Sequence, residues 1–571
     1  MEKRQFDYVI CGGGSAGCVL ANRLSANPDI QVLLLEAGAD FAPGSEPAAV
    51  RDRGARTFML QEYFWPDLVH EIGTARIPFL AARIMGGGSS INGMHAQRGL
   101  ARDYAEWRQM GVRGWGWEDV VPYFKRLEND VDFSGPMHGK EGPISIRRVP
   151  RSDWSPLSLA LHETLHKEGI PDLQDFNAED GDGMASTPLN NDSDSRASTA
   201  IAYLTPAVRA RRNLQIRAGT VVRRVLFEGS RARGVEIEGE EIQAREVILS
   251  AGAIYSPSLL MRSGVGPGSL LRSWEVPVVS DRPGVGQNLR NHPWFAITCH
   301  VRRNGRQKRF DTVRPPVPMI ARYSSKHAGC ESTDLALNLW ERLPGPLAND
   351  PLSRQLAQMM VLLNKSHSKG EVLLNPASRF GPPRIVANTL ADAADAERMV
   401  DAFRYVSRLL CSAPMSQFVD YTFIDKMALG NPPDAMTLKL LQDNRRAQNL
   451  SRLASFAMDY VPGARAKMLR GSGQEVAALL SDPARLPDLL RTISNPGGHP
   501  MGTCRMGDSA DPQAVTDSSC RVLGVEGLRV VDASIFPTPM TGGTNLPVIM
   551  AAEKAADVVL KDRTVAPLVT A

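Results

Sequence analysis

The sequence lacks any stretch of about 18 to 20 consecutive apolar residues, so it offers no candidate for a membrane-spanning helix. It also lacks an excess of either charge: 66 Lys and Arg against 62 Asp and Glu leave a formal charge of +4 on 571 residues. A chain that grips nucleic acid concentrates basic side chains on one surface. The one dense basic run here is Arg302, Arg303, Arg306, Lys308 and Arg309. It reads as a solvated loop, with attraction of an acidic substrate or a membrane surface as the alternative. No nucleic-acid partner is expected. Cysteine is scarce and unpatterned. Cys11, Cys18, Cys299, Cys330, Cys411, Cys504 and Cys520 are odd in number, irregularly spaced and without a CxxC pair. That excludes a disulfide framework and a zinc knuckle; no metal is expected, and a reducing compartment fits. Met1 to Ile10 run directly into a strand, without the apolar stretch and cleavage site of a secretion signal. The expectation is a cytoplasmic protein with no transmembrane segment, for which peripheral membrane association stays open. Internal repeats and low-complexity tracts are absent too.

What is present starts with size. A chain of 571 residues exceeds what one compact core accommodates and predicts two domains, or one large α/β domain with an insertion. The first 36 residues have a β-α-β plan, the unit of parallel sheets. Asp7 to Cys11 is a short apolar run, the next segment has helical apolar spacing up to the break at Pro28 and Asp29, and Gln31 to Leu35 is a second apolar run ending on Glu36. Between strand and helix, Gly12, Gly14 and Gly17 form GxGxxG, with Ser15 and Ala16 opening the helix. The first glycine permits a tight turn, the second lets a pyrophosphate approach the backbone, and the third allows close helix–strand packing. The helix N-terminus adds free N–H groups and a positive dipole end. Glu36 suits two ribose hydroxyls, and its charge disfavours a 2′-phosphate. This unit binds a dinucleotide but does not separate NAD from FAD. Further on, 213–242 alternates apolar and polar residues as a hairpin or meander, 246–251 reads as a buried strand, 300–490 mixes strand-like and helix-like pieces, and 527–561 reads strand, glycine loop, helix.

Four further segments carry a resemblance. They are Gly86 to Met94, followed by Arg98-Gly99, Asp103-Tyr104 and Trp107; Gly252 to Leu260, ending Ser263 to Gly266; Pro283 to Leu289 with His292; and His499 to Gly507, with Val531 to Ser534 and Glu553 to Asp557. Their order and spacing resemble the glucose-methanol-choline (GMC) oxidoreductases, a family of flavoproteins. The likeness covers residues 6 to about 300 and about 490 to 560, and leaves the middle uncovered. It implies an α/β fold: a Rossmann-like FAD-binding domain of GMC type, discontinuous over 1–150, 213–300 and 495–571, and an α+β substrate-binding domain from 151–212 and 301–494. It also implies FAD-dependent oxidation of a primary or secondary alcohol to the carbonyl, with an alcohol substrate and O2 or a quinone- or dye-type electron acceptor.

The resemblance assigns roles residue by residue. Gly86, Gly88 and Ser89 are small and suited to lie against the diphosphate, and Asn92, Gly93, Met94 and His95 would pass beside the flavin ring. Val222 would hold adenine through its backbone, Asp532 and Ala533 the ribityl-diphosphate segment, and Thr544 and Asn545 the pyrimidine side. His499 would be the base, because a histidine can be neutral and basic near pH 7 while hydride passes to flavin N5. His292 reads as structural. Gly543 departs from the family, which carries Asn or His there as a second partner for the substrate oxygen. His499 alone, a neighbour such as Asn545 or His95, or a different chemistry (a lyase or decarboxylase on the same scaffold) would account for the loss. Gly498, where relatives place an aromatic residue, implies a roomier pocket. Ile91 stands where some members bind the flavin covalently through histidine, so the FAD is non-covalent. Acid precipitation should therefore release all the flavin into the supernatant; a yellow pellet would contradict this.

Overall fold

The structure, a computed structural model, describes residues 5–54, 61–72, 75–308, 315–343, 351–426, 428–429, 445–495 and 498–565. Two seven-stranded sheets organise it. The first runs Arg224–Glu228, Arg231–Ile237, Glu240–Leu249, Phe6–Cys11, Val32–Leu35, Leu214–Arg217, with Leu528–Val530 also beside Glu240–Leu249. Its centre is parallel: Tyr8 pairs with both Val32 and Glu246. Central parallel strands are covered on both faces and so are apolar almost throughout. Val9, Ile10, Val32, Leu33 and Leu34 are fully buried. The Glu240–Leu249 strand serves three partners, Leu528–Val530 lying parallel to its end. Its first half is antiparallel to Arg231–Ile237 and its second half parallel to Phe6–Cys11. Of the 213–242 stretch, only the part from Arg224 is a meander; Leu214–Arg217 instead lies parallel to Val32–Leu35.

The ends of the chain meet here. The C-terminal helix Asn545–Val565 packs along Ser15–Leu24. Glu553, fully buried, accepts hydrogen bonds from Arg23 (2.8 and 2.7 Å) and the Tyr203 hydroxyl (2.7 Å). A carboxylate so enclosed persists only with such donors.

The second sheet is wholly antiparallel: Gly473–Glu475, Val419–Asp425, Trp294–Val301, Leu356–Leu363, Leu335–Trp340, Met319–Tyr323, Gly183–Ser186. Its strands have two apolar faces with different destinations, as a period of two allows. Leu335, Leu337 and Leu339, with Met359 and Val361, join the core beneath the helix Ala393–Cys411. The alternate residues Ala336, Asn338, Trp340, Met360 and Leu362 face a cavity. Trp294–Val301 falls in the 213–300 range expected for the first unit, yet is an interior strand of this second sheet. A strand apolar on both faces suits either sheet, and its pairing partners decide.

Arg302, Arg303 and Lys308 of the basic run are exposed, and three of its arginines meet partners within the chain. Arg306 makes a two-pronged ion pair with Asp459 (2.8 and 2.7 Å), Arg302 approaches Asp420 (3.6 Å), and Arg303 lies over the Tyr460 ring. Arg309 lies outside the described residues. All seven cysteines are free thiols. Among the described residues no helix is long and apolar enough to cross a membrane.

Below the first sheet lies a buried polar cluster. Arg98 pairs with Glu128 (2.6 Å, both side chains fully buried), and His138 bridges Glu128 (3.1 Å), Asp130 (3.3 Å) and Asp175 (2.6 Å). Burial alone would lower the His138 pKa; the carboxylates of Asp130, Asp175 and Glu128 reverse this and raise it to about 10. A pKa raised on folding stabilises the protein below the unfolded-state value of about 6.5, and that stabilisation is lost as pH climbs through the folded value. His138→Gln should therefore lower stability by on the order of 3 kcal/mol at pH 6, with the gap from wild type closing toward pH 10. Denaturant titrations across pH check this, and a pH-independent gap would refute it.

Candidate functional site

A cavity of about 710 Å³ is bordered by the glycine turns of the first sheet and by the second sheet's inner face. Gly12 has φ +109°, and a Cβ there would sit 2.4 Å from Ser250 O; a Cβ on Gly17 would sit 1.9 Å from Gly12 O. Both must be glycine for the chain's own packing. Gly14 and Gly88 differ. The nearest atom to a Cβ on Gly14 would be 3.8 Å away, and nothing lies within 4 Å of one on Gly88. The protein alone does not demand glycine there, whereas a group laid against the backbone would. Gly14 is also the N-cap of Ser15–Leu24 and contributes no side-chain cap, which leaves N–H groups for an anion.

Glu36 borders the same end. Its oxygens accept the N–H groups of Gly13 and Gly38 (both 2.7 Å). Burial pushes its carboxyl up to about 7 against the pull of those two donors. The second glycine segment crosses the first: Gly86 N–H donates to Gly13 O (2.7 Å), and a Cβ on Gly87 would meet the Gly14 Cα at 2.8 Å. Ser15 Oγ donates to Asn545 Oδ1 (2.9 Å), which leaves the buried Asn545 Nδ2 without a partner.

Of the expected cofactor residues, Gly12, Gly14, Ser15, Ala16, Glu36, Gly88, Asn92, Gly93, His95, Val222, Asp532, Ala533, Thr544 and Asn545 border the cavity. Gly17, Gly86, Ser89 and Met94 do not. Gly17 closes the helix onto the turn, and Gly86 takes a positive φ. Ser89 Oγ is turned inward to Gly86 O (2.6 Å) and accepts the Thr199 N–H, so it does not face a diphosphate as its small polar side chain suggested. Met94 is buried at φ +65° with its N–H on Asn92 Oδ1. Asp532 is enclosed: Gly252 N–H, Ser256 Oγ and Ser534 N–H all donate to it. Ile91 packs with Tyr63, Phe64 and Ile84.

The far end holds a histidine pair. His499 Nδ1 and His292 Nδ1 are 3.0 Å apart. Burial lowers the His499 pKa to about 4, and burial with the neighbouring His499 puts His292 well below its ordinary value. Two neutral rings at that distance share one proton. If His499 carries it on Nδ1, its Nε2 is left bare. A Cβ on Gly543 would lie 3.6 Å from that Nε2, so position 543 faces the ring. His292 is thus a direct contact of His499. The bridges Arg290–Met501 and Trp294–Asn495, with the His499 N–H on Asn291 Oδ1 (3.0 Å), bring these segments together, and nothing in local sequence reports them. His95 also borders the cavity, with Nε2 unpartnered and a pKa lowered to about 4 by burial and by His499.

A dinucleotide cradle joined through one cavity to buried neutral histidines defines a cofactor-dependent oxidoreductase. Residues 6–294 and 366–552 match the family model described as GMC oxidoreductase. The chain belongs to that family, FAD-dependent oxidoreductases acting on CH–OH groups. It is 37% identical to 5-(hydroxymethyl)furfural oxidase of Methylovorus sp. (strain MP688), over 97% of this chain and 98% of that one. It is 33% identical to an oxygen-dependent choline dehydrogenase of Brucella anthropi, over 97% and 95%. Pyridoxine 4-oxidase from Mesorbium loti has the same fold, at TM-score 0.77 and 28% identity over 97% and 99% of the chains. None of these three is a lyase. The open cradle at Gly14 and Gly88 and the unpartnered Asn545 Nδ2 fit FAD. Gly14→Ala should fold with an unchanged Tm as apoprotein yet purify with several-fold less flavin per chain, read from visible absorbance; full flavin content would refute the cradle.

Proposed function

We propose that the chain oxidises a neutral primary alcohol carried on an aromatic ring, with His499 as the base and O2 as the electron acceptor. The observation that carries this reading is the His499 geometry: a buried neutral imidazole with Nδ1 on His292 and Nε2 at the cavity opposite Gly543. FAD held at the Gly14–Gly88 cradle would supply the hydride acceptor. His499 Nε2 takes the hydroxyl proton. The substrate end is apolar, with Trp340, Met360, Leu362 and Ile320 on the inner sheet face. Among the described residues the acidic side chains bordering the cavity are Glu36, Asp67 and Asp532. Backbone and hydroxyl donors occupy Glu36 and Asp532. Asp67 is exposed on the Trp65–Asp67 loop. Among the described residues no carboxylate therefore accompanies His499 to receive a cationic alcohol, which favours the ring alcohol of the furfural oxidase over choline. The names of the oxidase relatives support O2. In this reading Gly12, Gly14, Ser15, Ala16, Glu36, Gly88, Asn92, Gly93, Val222, Asp532, Ala533, Thr544 and Asn545 hold FAD. The ranges 1–150, 213–293 and 495–571 form the cofactor unit, and the rest the substrate unit.

Anaerobic addition of 5-(hydroxymethyl)furfural or benzyl alcohol should bleach the yellow flavin, and air should restore it with release of peroxide. His499→Ala should keep its flavin and lose nearly all reduction, on the order of 10²–10⁴-fold. Because the His499 pKa is lowered to about 4, the base stays neutral well into acid, and wild-type reduction should hold from neutrality to about pH 5 and fail only near pH 4. Wild-type-like reduction by His499→Ala, or an inflection near pH 6.5, would remove the assignment.

A further inference from the structure

We propose that the carboxamide N–H2 of Gln97 is the second hydrogen-bond donor to the substrate oxygen, the place that Gly543 leaves without a side chain. This rests on the reading of His499 as base. Gln97 is 6% exposed, and it borders the cavity together with His499 and Gly543. Its Oε1 accepts the Gly543 N–H at 2.6 Å. A backbone N–H can only donate, so this bond orients the amide: oxygen toward the loop, Nε2 away from it. Among the described residues Nε2 has no protein acceptor. The amide thus offers its two donor hydrogens from a residue that borders the same cavity as the His499 ring.

The glycines explain themselves in the same geometry. A Cβ on Gly542 would press to 2.9 Å from Gln97 Oε1, and Gly542 has φ +141°. A Cβ on Gly543 would sit 3.6 Å from His499 Nε2 and 3.7 Å from Gln97 Oε1. Position 543 therefore looks onto the spot between the two side chains, and the glycine pair makes room for Gln97 to reach it from another strand of the chain. The backbone around Gln97 is pinned on both sides. Ala96 O accepts from Asn177 Nδ2 (2.8 Å), Arg98 O accepts from the Tyr104 hydroxyl (2.6 Å), and the Arg98 guanidinium is locked to Glu128. A side chain launched from so fixed a backbone loses little entropy in holding one geometry. His95 and Asn545 also carry unpartnered nitrogens, but neither contacts the Gly542–Gly543 loop through a hydrogen bond.

The test uses the flavin-loaded protein and whichever of 5-(hydroxymethyl)furfural, benzyl alcohol and pyridoxine bleaches the wild type fastest. Limiting anaerobic reduction rate, apparent Kd for the alcohol, flavin content and Tm are measured together. Gln97→Met should lower the limiting rate by about 10²–10³-fold, as loss of one oxyanion donor does, with flavin content unchanged and apparent Kd shifted far less. Gln97→Glu, which as the carboxylate keeps the acceptor for Gly543 N–H but has no donor, should show the same loss at a pH where the new carboxyl is ionised. Gly543→Asn placed in Gln97→Met should restore the rate at least tenfold, because it supplies a donor from the facing position. A rate within threefold of wild type in either single variant overturns the proposal, as does the absence of rescue by Gly543→Asn. Wild-type protein that no alcohol bleaches overturns the reading beneath it; a bleached wild type with unaffected Gln97 variants overturns the Gln97 role alone.

Discussion

The contact on which the site depends is the crossing of two glycine turns. Gly86 N–H bonds Gly13 O, and Gly87 lies so close to Gly14 that a Cβ would meet its Cα at 2.8 Å. Backbones approach this closely only where no side chain intervenes. The crossing locks the segment leading to Asn92, Gly93, His95 and Gln97 onto the dinucleotide turn. The ADP end and the reactive end of the cavity thus share one rigid frame. Glu553, reached by Arg23 and Tyr203, ties the C-terminal helix to the same frame, and that helix opens at Asn545, beside Ser15.

Around this frame the second sheet works as a two-faced wall. One face supplies the core under Ala393–Cys411; the other lends Asn338, Trp340, Met360 and Leu362 to the cavity. A period-two strand divides its residues between these tasks without irregularity.

The reactive end relies on burial and not on charge. Burial lowers the pKa of His292, His499 and His95 alike, which suits a proton acceptor. The Gln97 amide at the same cavity is oriented by its bond from the Gly543 N–H.

Much of this was legible in sequence because it is local. The β-α-β unit, the glycines of the turn and the strand end at Glu36 follow from periodicity and short motifs, which encode neighbours along the chain; His499 and Asp532 stood out through the family resemblance. The conflict at Gly543 was visible as well. Its resolution was not. Gln97 and Gly543 are 446 residues apart, His292 and His499 are 207 apart, and each pair meets only through sheet pairing and helix docking. The same holds for Trp294–Val301, whose apolar residues suit either sheet, and for Ser89, whose hydroxyl is captured by Thr199 from another segment. What the chain alone determined was the β-α-β unit with its glycine turn and, through the family likeness, His499 as the candidate base. Which side chains surround that histidine was decided by tertiary structure, because burial and long-range hydrogen bonds are properties of the packed molecule and leave no local pattern.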